Sequence, residues 1–279
     1  MTELRVDGQP VAVRDDATLL DAVRAVGVDL PTLCHDDRLT PAGSCRTCLV
    51  RVNGGVTAAC VTPATEDDAV ETADTELLRL RHDAVELIAS ALPQRALDGV
   101  ESELSSLCAR LDIPPATAQG ASERGRDDSH PYVHLDRDLC IACGRCVRMC
   151  AEVQGAFALT LVGRGADTVV APGTGGRWVD SDCVGCGGCV DTCPTGALSQ
   201  PGLAPGAAAH RSAVRRSADV TRTTCGYCGV GCSLEVVTRD GEVTAVLPDR
   251  DGPVNRGHAC VKGRFAHGFV HSPTAVTPA

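Results

Sequence analysis

Aromatic residues are nearly missing from this sequence: three Phe, two Tyr and one Trp make up 2% of 279 residues. Aromatic side chains supply much of the buried area of ordinary cores, so several small modules are expected, held by something other than side-chain burial. Also missing is any run approaching the roughly 18 apolar residues of a membrane span, and no positively charged, apolar segment precedes the first element. A cytoplasmic protein is therefore expected. The sequence has neither a Walker nor a Rossmann glycine fingerprint, so nucleotide binding falls to a partner. It has no Ser/His/Asp or Cys/His nucleophile system either. A net charge of -10 argues against nucleic acid as a partner, and suits either docking to a basic partner or plain solubility.

What the chain has in quantity is cysteine. There are 17, an odd number and about 6% of the chain, below the roughly 8–10% of disulfide scaffolds. In a reducing compartment clustered cysteines bind metal. Their groups coincide with changes in composition. Residues 1–72 open with strand-like Leu4-Arg5-Val6 and Val11-Ala12-Val13 around Asp7-Gly8, a hairpin signal. A helix follows, with Thr18 and Asp21 as a capping box, a stripe of Leu19, Leu20, Val23 and Val26, and Gly27 as its stop. Residues 75–92 and 101–111 read as amphipathic helices separated by Pro93. The stretches 114–130 and 201–219 read as exposed linkers.

The first cysteine group, Cys34, Cys45, Cys48 and Cys60, has the spacing C-x10-C-x2-C-x11-C. Strand-like arms at 49–52 and 56–59 flank Asn53-Gly54-Gly55, and a hairpin centred on Gly54 predicts Cys48 directly opposite Cys60. Four converging thiolates without His suit a [2Fe-2S] cluster. A four-cysteine zinc site is the rival, although such sites usually use two CxxC pairs. The second and third groups are a duplication: Cys140, Cys143, Cys146 and Cys150, then Cys183, Cys186, Cys189 and Cys193 followed by Pro194. In two-cluster ferredoxins the fourth cysteine of each run crosses to the other cluster. Carried over, Cys140, Cys143, Cys146 and Cys193 hold one [4Fe-4S], and Cys183, Cys186, Cys189 and Cys150 the other. Gly144, Gly185, Gly187 and Gly188 are expected to let the backbone approach and donate amides. The fourth group, Cys225, Cys228, Cys232 and Cys260, spans a hairpin signalled by Asp240-Gly241, and by spacing alone a zinc ribbon is a serious rival.

The residues around that group carry a resemblance. Cys225-Gly-Tyr-Cys-Gly-Val-Gly-Cys232 and Cys260-Val-Lys-Gly-Arg-Phe265 resemble the N-terminal [4Fe-4S] domain of molybdenum or tungsten bis-pterin formate dehydrogenases, with Gly226 where Pro is common. The run from Cys140 to Gly155 resembles the same family's ferredoxin insert, which accounts for Ala151 where a plain ferredoxin has Pro. The first 72 residues are similar to the β-grasp [2Fe-2S] domain shared with the complex I large subunit and some hydrogenases. The resemblance implies an α+β multi-module chain: a β-grasp [2Fe-2S] domain at 1–72, a helical connector at 73–113, a linker at 114–130, a two-cluster ferredoxin-like domain at 131–200, a linker at 201–219, and at 220–279 a small β-hairpin-rich [4Fe-4S] domain with the start of a catalytic domain. Many relatives carry a further His/Cys-ligated cluster between the first two modules. Residues 61–139 contain only Cys108, which shares a helical face with Leu104, Leu107 and Leu111 and reads as a core thiol. His82 reads as a surface-edge residue.

The implied cofactors are one [2Fe-2S] and three [4Fe-4S] clusters, with the Mo/W bis-pterin in a catalytic domain or partner subunit. Lys262 is implied as the electron-transfer residue between the fourth cluster and the pterin. The expected function is an electron relay of a formate dehydrogenase, between that pterin and a flavin-containing NADH diaphorase, with no catalytic residue in this chain. The alternative is the electron-transfer subunit of a diaphorase-linked hydrogenase or a complex I-like enzyme. The 225–265 module weighs against the hydrogenase and the cysteine duplication against complex I. An iron-sulfur redox sensor or scaffold is a more remote reading.

Overall fold

A computed structural model describes residues 1–120, 124–173, 175–209 and 211–271. Asp7 and Gly8, both at positive φ (49° and 80°), turn strand β1 (Thr2–Val6) into β2 (Gln9–Val13), as their dipeptide predicts. Thr18 and Asp21 close the capping box of α1 (Leu19–Ala25), which buries Leu19, Leu20, Ala22 and Val23. Gly27 ends it at φ 84°, where Val28 N–H reaches back to the Val23 carbonyl. Strands β3 (Leu49–Val52), β4 (Gly55–Ala58) and β5 (Ala69–Glu71) complete a mixed sheet ordered β2-β1-β5-β3-β4. Leu4, Val6, Leu20, Val23, Val50 and Val70 fill its core.

The β3–β4 register corrects the expected one. Asn53 (φ 48°) and Gly54 (φ 85°) form a two-residue turn, not a three-residue one centred on Gly54, and pair Leu49 with Ala58. Two left-handed residues match the strand twist better than a wider turn. Cys48 therefore faces Ala59, whose N–H donates to the Cys48 carbonyl at 3.0 Å. Cys60 lies one residue further, in a 3-10 turn at Ala59–Val61.

Helices α2 (Thr75–Ser90), α3 (Arg95–Asp98) and α4 (Glu103–Arg110) form more than a spacer. Val85, Ala89, Leu92, Ala96, Leu104, Leu107 and Cys108 share one core with Val133, Leu135, Leu139, Trp178, Val190 and Leu198. One connected apolar core thus joins the connector to the cysteine repeat, where separate small cores are the expectation from composition. Burial also pushes the Cys108 thiol up to about 11, in keeping with a core thiol.

Both supposed linkers are folded in part. Within 114–130, β6 (Arg126–Asp127) pairs with β7 (His134–Asp136). The buried Asp127 carboxylate accepts from Trp178 N–H at 2.8 Å. Residues 121–123 of that stretch lie outside the described residues. Within 201–219, Ala207, Ala208 and Ala209 are buried and α7 spans Arg211–Ser217. Partners distant in sequence order both stretches, so a local composition rule misreads them.

In the repeat, α5 (Arg145–Arg148) runs into a single π turn at Met149–Val153. The hairpin β8 (Leu159–Val162) and β9 (Val169–Pro172) separates it from α6 (Gly188–Thr192) and β10 (Leu198–Ser199), the latter pairing with β7. Last comes the sheet β11 (Asp219–Thr224), β12 (Ser233–Arg239) and β13 (Glu242–Pro248), turned at Asp240-Gly241, then α8 (Val261–Phe265). Of residues 271–279, read as the start of a catalytic domain, 272–279 lie outside the described residues. Among the described residues no helix is long and apolar enough to cross a membrane.

Candidate metal centres

The first group forms one hydrogen-bonded knot. Cys34, Cys48 and Cys60 are buried and Cys45 half-buried. Cys45 N–H donates to Cys34 Sγ at 3.5 Å, and Thr47 Oγ1 ties the loop to the Pro31 carbonyl at 3.1 Å. Hydrogen bonds from the Cys45 and Cys60 thiols hold Cys34 far below the usual thiol range. The Cys60 thiol likewise lowers Cys48 to about 6, and Cys45 and Cys60 are raised as donors. The 3-10 turn thus brings Cys60 to Cys48 although the two are not register partners.

The repeat builds two cavities. Cys140, Cys143, Cys146 and Cys193 line one of about 20 Å3, floored by Leu161, Val170 and Leu198. Cys150, Cys183, Cys186 and Cys189 line another of about 20 Å3, with Met149, Leu159 and Trp178. Each fourth cysteine thus stands in the other run's cavity. The duplication is also visible in the backbone. Ala142 and Gly144 (φ 51° and 69°) repeat as Gly185 and Gly187 (φ 65° and 72°). The N–H of Ala142 donates to Cys140 Sγ at 3.4 Å, as Gly185 does to Cys183 and Gly188 to Cys186 at 3.4 and 3.5 Å. Of the glycines expected to donate, Gly185 and Gly188 do so, while Gly144 and Gly187 supply the left-handed residue that starts each helix. The π turn carries Cys150, whose Sγ accepts from Ala158 N–H at 3.2 Å, and such turns recur at functional sites. Ala151 retains the N–H that Pro lacks, whereas α6 ends before Cys193 and Pro194. Burial pushes the Cys143 thiol up to about 12 and raises Cys146 and Cys189 well above the usual thiol range.

In the fourth group Cys225 N–H donates to the Cys232 carbonyl at 2.8 Å, and Cys260 caps α8. Burial and the charges of Cys225, Cys228 and Cys260 together raise the Cys232 thiol, and the hairpin returns the helix that Cys260 caps to Cys225. Cys228 and Cys260 are exposed. A Cβ on Gly263 would stand 3.4 Å from Cys225 Sγ. Lys262, the only lysine of the chain, is exposed beside Cys260.

These donor sets fit iron-sulfur clusters. Each group offers four sulfurs, and neither cavity of the repeat is lined by a His or a carboxylate. Backbone N–H groups already point at the thiol sulfurs, as cluster sites require. Trp178, fully buried on the cavity of Cys150, has an indole N–H without a partner among the described residues, and a buried orphan donor calls for an acceptor.

Sequence reasoning misses the arginines between the groups. Arg148 Nη2 donates to the Cys34 carbonyl at 2.6 Å and to the Cys143 carbonyl at 3.4 Å. Buried Arg145 bonds Glu103, the Thr192 carbonyl and the Thr32 carbonyl. On the other side, Val261 and Arg264 of α8 pack against Gly185 and Gly187. The signal is present as two arginines inside a cysteine run, Cys143-Gly-Arg-Cys-Val-Arg-Met-Cys150, a place where a freely solvated charge is unexpected. His82 is an edge residue beside Glu86, 3.8 Å away.

Comparison with known proteins agrees with this chemistry. Residues 1–75 match the 2Fe-2S iron-sulfur cluster binding domain, residues 130–199 the ferredoxin-like domain of NADH-quinone oxidoreductase subunit 3, and residues 218–272 the molybdopterin oxidoreductase Fe4S4 domain. Over 98% of its length the chain is similar to an NADH-quinone oxidoreductase subunit of Rhizobium meliloti (35% identical), the alpha subunit of the NADPH-Fe(3+) oxidoreductase of Geobacter sulfurreducens (32%) and a putative formate dehydrogenase of Staphylococcus haemolyticus (25%). It spans about a third of the length of each, 32%, 32% and 31%. A crystal structure of an NAD+-reducing [NiFe]-hydrogenase in the H2-reduced state superposes with a TM-score of 0.62 at 27% identity, covering 71% of this chain and 87% of that one. The chain thus carries 2Fe-2S and 4Fe-4S binding domains of oxidoreductases. The expectation that the cysteine duplication weighs against a complex I relation does not stand, because the matching ferredoxin-like family is itself that of an NADH-quinone oxidoreductase subunit.

Proposed function

We propose that the chain is an electron relay, with a [2Fe-2S] cluster on Cys34, Cys45, Cys48 and Cys60, a [4Fe-4S] on Cys140, Cys143, Cys146 and Cys193, a second on Cys150, Cys183, Cys186 and Cys189, and a third on Cys225, Cys228, Cys232 and Cys260. Bound there, such clusters accept and release single electrons at potentials set by the surrounding hydrogen bonds and burial. One observation carries the reading: the four groups stand in file. Arg148 joins the backbone of Cys34 to that of Cys143, the exchanged Cys150 and Cys193 interlock the two cavities, and α8, capped by Cys260, packs on the Cys183–Cys189 loop. A sensor has no need of such a file.

The ends of the file suggest its partners. A flavin-containing NADH diaphorase fits the N-terminal end. A Mo/W bis-pterin domain or subunit fits the other end, with Lys262 passing electrons between pterin and cluster. We assign formate as the substrate on that side, on the residues 225–265 and the likeness to a putative formate dehydrogenase. The higher identities to an NADH-quinone and an NADPH-Fe(3+) oxidoreductase subunit favour a second reading, in which NAD(P)H loads the same relay. With the pterin-bearing body and the diaphorase both supplied, formate should reduce the clusters and Lys262→Ala should slow that step at unchanged iron content. Reduction by NAD(P)H alone selects the second reading. Failure of every donor, with dithionite still bleaching the clusters, would rule out the relay.

A further inference from the structure

Arg264 is a fully buried cation, at 0% side-chain exposure. It leaves the C-terminal module and enters the cysteine repeat. Its Nε donates to Gln200 Oε1 at 2.7 Å and its Nη2 to Asp191 Oδ1 at 3.1 Å. Asp191, from α6, is two residues from both Cys189 and Cys193. The approach is so close that a Cβ on Gly187 would fall 2.5 Å from Arg264 Nε, and Gly187 separates Cys186 from Gly188 and Cys189. Burying a guanidinium carries a desolvation cost of several kcal/mol that attraction to a single carboxylate commonly fails to recover in full. Arg211 and Arg250 also bond Asp191, at its carboxylate (3.1 Å) and its carbonyl (2.7 Å). Three arginines thus surround one aspartate, while Glu235, 3.8 Å from Arg211 and paired with Arg215, and Asp249, next to Arg250 and 3.4 Å from Arg222, are further buried carboxylates. The junction keeps a net positive charge. The charge sits against the loop that carries Cys186 and Cys189, at Gly187 between them.

We propose that Arg264 is a positioning and tuning residue for the cluster on Cys150, Cys183, Cys186 and Cys189: its buried positive charge favours the reduced state there, so that electrons crossing between the C-terminal module and the repeat settle on that cluster. The inference rests on the relay reading above. Potentials of such clusters respond to net charge and to burial, and a charge acts more strongly where water is excluded. The far cavity has a buried arginine of its own, Arg145, but that one is paired with Glu103 at 2.8 Å, whereas Arg264 shares Asp191 with Arg211 and Arg250. The two halves of the repeat, alike in backbone, would therefore differ in potential because of a residue supplied from outside the repeat.

Redox titration of the full chain, reconstituted anaerobically and followed by electron paramagnetic resonance, tests this. The signal altered by Cys183→Ser identifies the cluster concerned, and that altered by Cys143→Ser serves as the internal control. In Arg264→Gln the first signal should move to lower potential and the second should stay. Should Arg264→Gln fail to fold, Gln200→Glu keeps the test open. It retains the acceptor oxygen and the clamp but sets a negative charge against Arg264, so the first signal should again move down, whereas a merely structural clamp would leave it in place. An unchanged potential in a folded, loaded Gln200→Glu chain, or equal shifts of both signals, would overturn the inference. Absence of any cluster in the wild-type chain would instead overturn the relay reading beneath it.

Discussion

Cys150 and Cys193 are the residues on which the ligand assignment turns, because each belongs by sequence to one run and by position to the other's cavity. If Cys150 serves the cluster of the second run, Cys150→Ser should perturb the same paramagnetic signal as Cys183→Ser and spare the one sensitive to Cys143→Ser. Pairing with Cys143 would refute the exchange. At this scale the sequence is most legible, since cysteine spacing is chemistry written directly into the chain. Where it is less legible, backbone geometry is the cause. Glycine at 185 announces its left-handed residue, but its counterpart Ala142 holds φ 51°, a conformation costing about 1–2 kcal/mol for a residue with a Cβ and invisible in the letter. The hairpin signal sets Cys60 beside Cys48 through a register the structure does not adopt; a 3-10 turn restores the proximity.

Elements are legible where the signal is local. The dipeptides Asp7-Gly8 and Asp240-Gly241 and the Thr18/Asp21 box produce the turns and cap they predict. The stretches 114–130 and 201–219 mislead because their order comes from residues far away: Asp127 is fixed by Trp178, and Arg211 by Asp191. Helix α6 illustrates the energetics. Burial pushes the Asp191 carboxyl up, but Arg264 and Arg211 outweigh it and hold it below the usual carboxylate range. A carboxylate lowered in the folded state contributes stability above its unfolded value of about 4, lost as pH falls through the still lower folded value. Asp191→Asn should thus cost about 3–5 kcal/mol at neutral pH, the usual loss when one partner of a buried ion pair is removed. Urea unfolding as a function of pH should show the gap from wild type narrowing below about pH 4; a constant gap would exclude an ionic origin.

For the whole molecule, scarcity of aromatic residues foretells weak separate cores; the N-terminal sheet does keep its own, while the connector and the repeat share one. The single Trp sits at 0% exposure on the cavity of Cys150, inside a core reaching from α2 to the inner face of β12 and β13. The four thiol groups are bridged by Arg148 at one end and Arg264 at the other, the arrangement on which the proposed relay rests. Its central claim is that every group holds an iron-sulfur cluster and none a zinc ion. Combined iron, acid-labile sulfide and zinc analysis of the anaerobically reconstituted chain tests this most directly. One [2Fe-2S] and three [4Fe-4S] clusters predict about 14 iron and about 14 sulfide per chain with negligible zinc; stoichiometric zinc with little sulfide would contradict the account.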